Sequence, residues 1–206
     1  GAILNHIDSF SRCYLEPRIS SILTSFDDRQ LIFYIVGGKG LFEAGDMKRE
    51  VQEGDGIIVP PGLSHILTNT VTIPLELLIL EETISEETEL VRQEAIIRNY
   101  REKPLSQGHW THLVHPLFGK DDGLIKTHAI LVVRIEAMQT PDTHGHGSNI
   151  DEVWYMLEGN GIHVVGRDVY RQRPGGAVSV APSNPGHSLI NDTEEPLVTF
   201  YFANYG

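Results

Sequence analysis

The run His144-Gly145-His146-Gly147-Ser148-Asn149-Ile150-Asp151-Glu152-Val153-Trp154-Tyr155-Met156-Leu157-Glu158-Gly159-Asn160-Gly161 decides how the chain is read. It is followed, after a hairpin, by Gly176-Ala177-Val178-Ser179-Val180-Ala181-Pro182-Ser183-Asn184-Pro185-Gly186-His187 and then Asn191. Side chains alternate along an extended chain, so His144 and His146 fall on one face and can hold one ion between them. Glu152 opens the apolar run that follows, and His187 comes after a second strand bounded by Gly176 and Pro182. Three imidazoles and one carboxylate form a mixed nitrogen and oxygen set that suits Fe, Mn, Ni, Co or Zn. On a six-coordinate ion such a set leaves two positions for water or substrate.

The two runs resemble the paired motifs of the cupin superfamily. The first motif is a Gly-rich His-x-His followed by Glu and a closing Gly, and the second is Gly-x5-Pro-x-Gly-x2-His-x3-Asn. The resemblance implies metal-ligand roles for His144, His146, Glu152 and His187. Asn184 stands where the second motif has an internal Gly, and Asn also tolerates left-handed turn geometry. The gap from His146 to the acid is one residue longer than in the motif, which makes Asp151 a rival ligand. Parity favours Glu152, because the acid of the family lies seven residues before the turn Gly, as Glu152 does before Gly159. Choosing Asp151 would turn every following side chain to the other face. On the Glu152 register, Trp154 and Met156 share the inner face and give the pocket an apolar wall.

Gly54-Asp55-Gly56-Ile57-Ile58-Val59-Pro60-Pro61-Gly62-Leu63-Ser64-His65, with Asn69, is an unbroken second copy of the second motif. The matching first motif is incomplete. Aligning Gly38 with Gly159 puts Leu31 where Glu152 stands, and no His-x-His precedes it. One histidine does not hold a transition metal firmly, so His65 is read as a satisfied barrel residue and its barrel as a metal-free lobe. The duplication implies an all-β bicupin, two cupin barrels of the double-stranded β-helix or jelly-roll type joined by a short helical linker. The expected domains are residues 1–82, a linker over 83–104, and a metal-binding barrel over 105–206.

Strands are expected at Leu31 to Val36, Leu75 to Leu80, Leu124 to Met138 and Leu197 to Phe202, with hairpins over Gly40 to Arg49 and Gly161 to Arg173. Thr83-Ile84-Ser85-Glu86 reads as a capping box, and Leu90, Val91, Ala95, Ile97 and Tyr100 recur at helical spacing up to Lys103-Pro104, which predicts the linker helix. In Gly108-His109-Trp110-Thr111-His112-Leu113-Val114-His115, the Thr, Val and following Pro116 favour an extended segment of surface histidines over a second metal site. His128 and Arg134 share one parity class, either an anion-binding pair in the pocket or, preferably, an ordinary polar face.

With 16 basic and 28 acidic residues the net charge is -12, which disfavours nucleic acid and anionic membranes as partners. Cys13 is alone, no apolar run reaches membrane-spanning length, and no secretory signal pattern opens the chain, so a cytoplasmic protein is expected. The expected cofactor is one divalent transition metal per chain (Fe, Mn, Ni, Co or Zn), and the expected partners are a small-molecule substrate and a second copy of the chain in a homodimer. Cupins run several chemistries on one scaffold, so the fold does not select among them. The first reading is a metal-dependent cupin enzyme acting on a small organic metabolite, with oxygenase-type chemistry ahead of isomerase or lyase chemistry. The alternative is a non-catalytic small-molecule-binding or sensor bicupin.

Overall fold

The computed structural model describes residues 7–85, 87–183 and 186–204. Its strands follow the sequence signals. The first eight are β1 (Ser9–Leu15), β2 (Arg29–Gly37), β3 (Lys39–Ala44), β4 (Met47–Gln52), β5 (Asp55–Val59), β6 (His65–Asn69), β7 (Leu75–Thr83) and β8 (Ile96–Asn99). Nine more follow: β9 (Ser106–Gly108), β10 (His112–Gly119), β11 (Ala129–Ile135), β12 (Asp151–Glu158), β13 (Gly161–Val165), β14 (Asp168–Gln172), β15 (Ala177–Val180), β16 (His187–Ile190) and β17 (Leu197–Asn204). All their pairings are antiparallel, and the chain divides into two compact units.

The N-terminal unit runs to Glu102 and takes in Lys120–Lys126 from later in the chain. It stacks a five-stranded sheet, β1-β7-β2-β5-β8, on a three-stranded sheet, β4-β3-β6. Leu31, Phe33, Ile35 and Ile57 from the larger sheet meet Phe42, Val51 and Leu67 from the smaller one. Burying each such side chain is worth about 1.5–3 kcal/mol, so the alternation that sets them on one face is what closes the barrel. The excursion is tied in by the Arg98 guanidinium, which grips Asp122 at 2.7 and 3.0 Å, and by Gln30, which donates to the Gly123 carbonyl.

The C-terminal unit holds Lys103–Gly119 and the chain from Thr127 onward. Its six-stranded sheet, β15-β12-β17-β11-β10-β9, faces the three-stranded β14-β13-β16. Val133, Ile135, Trp154, Met156, Tyr201 and Leu189 form its core.

The duplication is visible residue by residue. Gly159 has φ +74°, and a Cβ there would lie 2.5 Å from the Pro196 carbonyl oxygen; Gly38 has φ +89°, and a Cβ there would lie 2.8 Å from the Pro74 oxygen. Only glycine fits either turn. Asn69 and Asn191 act alike as well, each donating to the carbonyl four residues on and accepting from the backbone N–H two residues on.

Among the described residues of the expected linker no α-helix forms. Strand β7 continues through Thr83, β8 adds to the sheet edge beside β5, and among the described residues of this stretch the helical turn is the short 3-10 segment Tyr100–Glu102. Ala95 and Ile97 are buried while Leu90 and Val91 are exposed, so burial follows the two-residue period of a strand, not the helical one. The first turn of the expected helix is instead a loop in which Ser85 and Thr88 bond each other; Glu86 of the expected capping box, like Asn184 of the second motif, lies outside the described residues. The strand expected from Leu124 to Met138 is shorter, because the chain up to Lys126 belongs to the N-terminal unit. No helix among the described residues is long and apolar enough to cross a membrane.

Candidate metal centre

Backbone pairing brings the two motifs together. His144 and His187 exchange both backbone hydrogen bonds, at 3.2 and 2.8 Å, so the Gly-rich loop is stitched to the start of β16. Strand β12 places Glu152 on the face shared with Trp154 and Met156, opposite Ala203 of β17, and Asp151 on the other face. The four residues singled out from the sequence thus converge in the C-terminal barrel.

Glu152 is 2% exposed, and each of its oxygens meets one hydrogen-bond donor and one imidazole nitrogen. Oε1 accepts from Trp154 Nε1 at 2.8 Å and stands 2.8 Å from His187 Nε2. Oε2 accepts from the Tyr201 hydroxyl at 2.8 Å and stands 3.1 Å from His146 Nε2. Burial pushes its carboxyl upward, but the bonds from His146, His187 and Trp154 outweigh it and hold the group well below the usual carboxylate range. Glu152 is therefore a fixed anion. The bond to Glu152 raises the pKa of His146, whereas burial and then the neighbouring rings of His187 and His109 lower that of His144.

The ring nitrogens of His144, His146 and His187 lie within 4.8 Å of one another, and the Nε2 atoms of His146 and His187 are 3.1 Å apart. With bonds of about 2.1 Å, neighbouring ligand atoms at right angles about one ion are about 3.0 Å apart. The 2.8–3.1 Å spacings among His146, His187 and Glu152 match that value. Two imidazole nitrogens so close to each other and to one carboxylate are best satisfied together by a cation, so the residues present fit a metal.

Three histidines that sequence reasoning did not place in the site surround it. His163 is fully buried; its Nδ1 pairs with the Gln172 carbonyl oxygen at 3.1 Å and its Nε2 lies 3.5 Å from His187 Nδ1. Its parity along the expected Gly161 hairpin was the signal that could have found it. His112 packs its ring 5.5 Å from that of Trp154, and its Nε2 is buried without a hydrogen-bond partner among the described residues. Burial first, and the adjacent His109 and His144 second, push the pKa of His112 down to about 4. His109 stacks on His144 at 3.8 Å and pairs with Asp142 at 3.3 Å, so the cluster beginning at Gly108 is not simply a surface feature. The segment is a hairpin, not one extended run: it is extended from His112 onward as expected but turns tightly at His109 and Trp110, both with positive φ. His115 falls on the opposite face of β10 from His112.

Arg134 pairs with Glu136 at 2.7 Å, on the face of β11 away from the core residues Val133 and Ile135. His128 is 2.8 Å from Asn204. The polar-face reading of that parity class is the one the structure supports.

The profile of the cupin domain family matches residues 13–81. The whole chain superposes on a bicupin: a point mutant of Bacillus subtilis oxalate decarboxylase is similar at TM-score 0.75 and 16% identity, over 98% of this chain and 69% of that one. Residues 13–81 match the cupin domain, and the chain has the bicupin fold. Another structure of the same Bacillus subtilis enzyme, determined at pH 4.6, is similar at TM-score 0.73 and 16% identity over 95% of this bicupin and 67% of that chain. A third, whose description refers to Mn(II) centres, has TM-score 0.75, 16% identity and the same 98% and 69% coverage as the first. An uncharacterized protein of Methanocaldococcus jannaschii is 40% identical over 47 residues, which span 23% of this bicupin and 38% of that protein. The profile match lies in the N-terminal half, whereas the histidine cluster lies in the C-terminal barrel.

Proposed function

We propose that this bicupin is a metal-dependent enzyme that holds one divalent transition metal on His144, His146, Glu152 and His187 and cleaves a small organic acid in a lyase-type reaction. The observation that carries the reading is the convergence of His146 and His187 on the two oxygens of a buried carboxylate. A bound ion would act as a Lewis acid with open positions, and a redox-active one would also pass electrons. Glu152 supplies the one negative charge of the ligand set, Tyr201 and Trp154 fix its carboxylate, and His163 orients the His187 ring through its second nitrogen. Trp154 and Met156 form an apolar wall against which a small substrate packs. His112, neutral at pH 7 and with a free ring nitrogen, is the polar group best suited to bond a substrate oxygen.

Decarboxylation stands ahead of dioxygenation because the structural relatives are oxalate decarboxylases and one is described by its Mn(II) centres. The fold likeness supplies only the prior. Oxalate and other small carboxylic acids are to be tested with protein loaded in turn with Mn, Fe and Zn, under air and under nitrogen. The reading predicts carbon dioxide release without matching oxygen uptake. Oxygen consumed in proportion to product would move the assignment to an oxygenase, and binding without turnover under every loading would favour a sensor.

A further inference from the structure

The N-terminal barrel holds a cleft of about 310 Å³, open on one side, at the place that corresponds to the metal centre of the other barrel. The backbone bridge between His144 and His187 has its counterpart between Thr24 and His65, so Thr24 and Phe26 take the places of His144 and His146. The pairing of Leu31 with Glu81 repeats that of Glu152 with Ala203, and the pairing of Phe33 with Ile79 repeats that of Trp154 with Tyr201. Phe42 opposite Leu67 likewise repeats His163 opposite Leu189. Three of the four ligand positions therefore carry Thr24, Phe26 and Leu31, and apolar side chains replace the residues that bond Glu152 and His187. His65 alone is kept.

His65 is 6% exposed, edge-on to Phe33 and stacked on Phe42. Its Nδ1 lies 3.2 Å from the Leu63 carbonyl, which can only accept, so the proton sits on Nδ1. Burial lowers the pKa of the ring, against that bond, and keeps it neutral, leaving Nε2 as a bare acceptor. Among the described residues no hydrogen bond reaches Nε2, and Leu63 does not line the cavity, so the bonded edge faces away from it. An acceptor that opens onto apolar walls finds its donor only in what enters the cavity, water or a ligand hydroxyl. The carboxylate at the rim, Glu81, is paired with Arg29 at 3.0 Å and disfavours anions.

We propose that the cavity of the N-terminal barrel binds a small, uncharged, mostly apolar molecule with one hydrogen-bond donor, a phenol or alcohol, whose hydroxyl bonds His65 Nε2. The site is independent of the metal centre, so either reading can fail without the other.

The test uses the full-length protein and three probes of similar shape: 2-naphthol, 2-methylnaphthalene, which lacks the donor, and 2-naphthoate, which adds a charge. Calorimetry should show 2-naphthol bound at least about tenfold more tightly than 2-methylnaphthalene, with 2-naphthoate the weakest; one well-placed hydrogen bond supplies such a ratio. His65→Leu should abolish the preference for the naphthol. Cys13, the single cysteine, lines the same cavity, so its alkylation reports occupancy. Burial and then Glu81 raise its thiol pKa, so alkylation is slow and is followed over hours at about pH 8, where a phenolic hydroxyl with a pKa of about 10 stays protonated, and 2-naphthol should slow it saturably. Equal binding of the naphthol and its methyl analogue, an undiminished preference in His65→Leu, or alkylation indifferent to saturating 2-naphthol would each overturn the proposal. If His65→Leu does not fold, the wild-type comparison and the Cys13 rate decide alone.

Discussion

His187 Nε2 stands 2.8 Å from Glu152 Oε1, although the two residues belong to different sheets of the C-terminal barrel, β16 in the small one and β12 in the large one. The carboxylate thus bridges both layers, and His146 reaches its other oxygen from the Gly-rich loop. Glu152→Gln removes the anion from this junction and should weaken metal retention at least about tenfold in competition with a chelator, as loss of even a supporting group does. Asp151→Asn, on the opposite face of the strand, should change it by less than about threefold. The reverse ranking would mean that Asp151, and not Glu152, is the acidic ligand.

His163 offers a test of the surrounding shell. Its partner position in the N-terminal barrel is Phe42, so His163→Phe is a substitution that this architecture already accommodates. Without the contact to His187 Nδ1, metal affinity should fall about 10–100-fold while the melting temperature of the metal-free protein changes little. Unchanged affinity would show that His163 only fills space.

Acid should loosen the metal-free C-terminal unit. Burial holds both His112 and His163 at about 4, against an unfolded value of 6.5. Between those values the unfolded chain takes up protons that the folded one refuses, so stability is full above pH 6.5 and declines as pH falls towards 4. Each depressed imidazole contributes on the order of 3 kcal/mol to that decline. Both tryptophans, Trp110 and Trp154, lie in this unit, so their fluorescence in urea follows its unfolding. His112→Leu should flatten the slope between pH 6.5 and 4; an identical slope would place the acid sensitivity elsewhere.

Much of the barrel architecture was legible in the sequence because the motifs are local. Gly159, Glu152 and His187 are set by spacing along single strands, and parity predicts the opposite faces that Glu152 and Asp151 take on β12. What escaped depends on partners distant in sequence. His112 looked like part of an exposed cluster, but β10 pairs with β11 and turns it inward against Trp154. Tyr201 reads as one more apolar strand residue until β17 is laid against β12. The linker helix failed for the same reason, since Ala95 and Ile97 fit helical spacing with Leu90 and Val91 but are claimed by a sheet edge that the local pattern does not reveal. The counterpart of His-x-His in the first barrel, Thr24 and Phe26, has no sequence signature and appears only through its backbone bridge to His65.

The most direct test of the central claim is elemental analysis of untagged protein after loading with Mn and desalting, compared with the variants His65→Ala and His146→Ala/His187→Ala. The account predicts one ion per chain in the wild type, the same in His65→Ala, and none in the double variant. Two ions per chain, a loss in His65→Ala, or full retention in the double variant would contradict it.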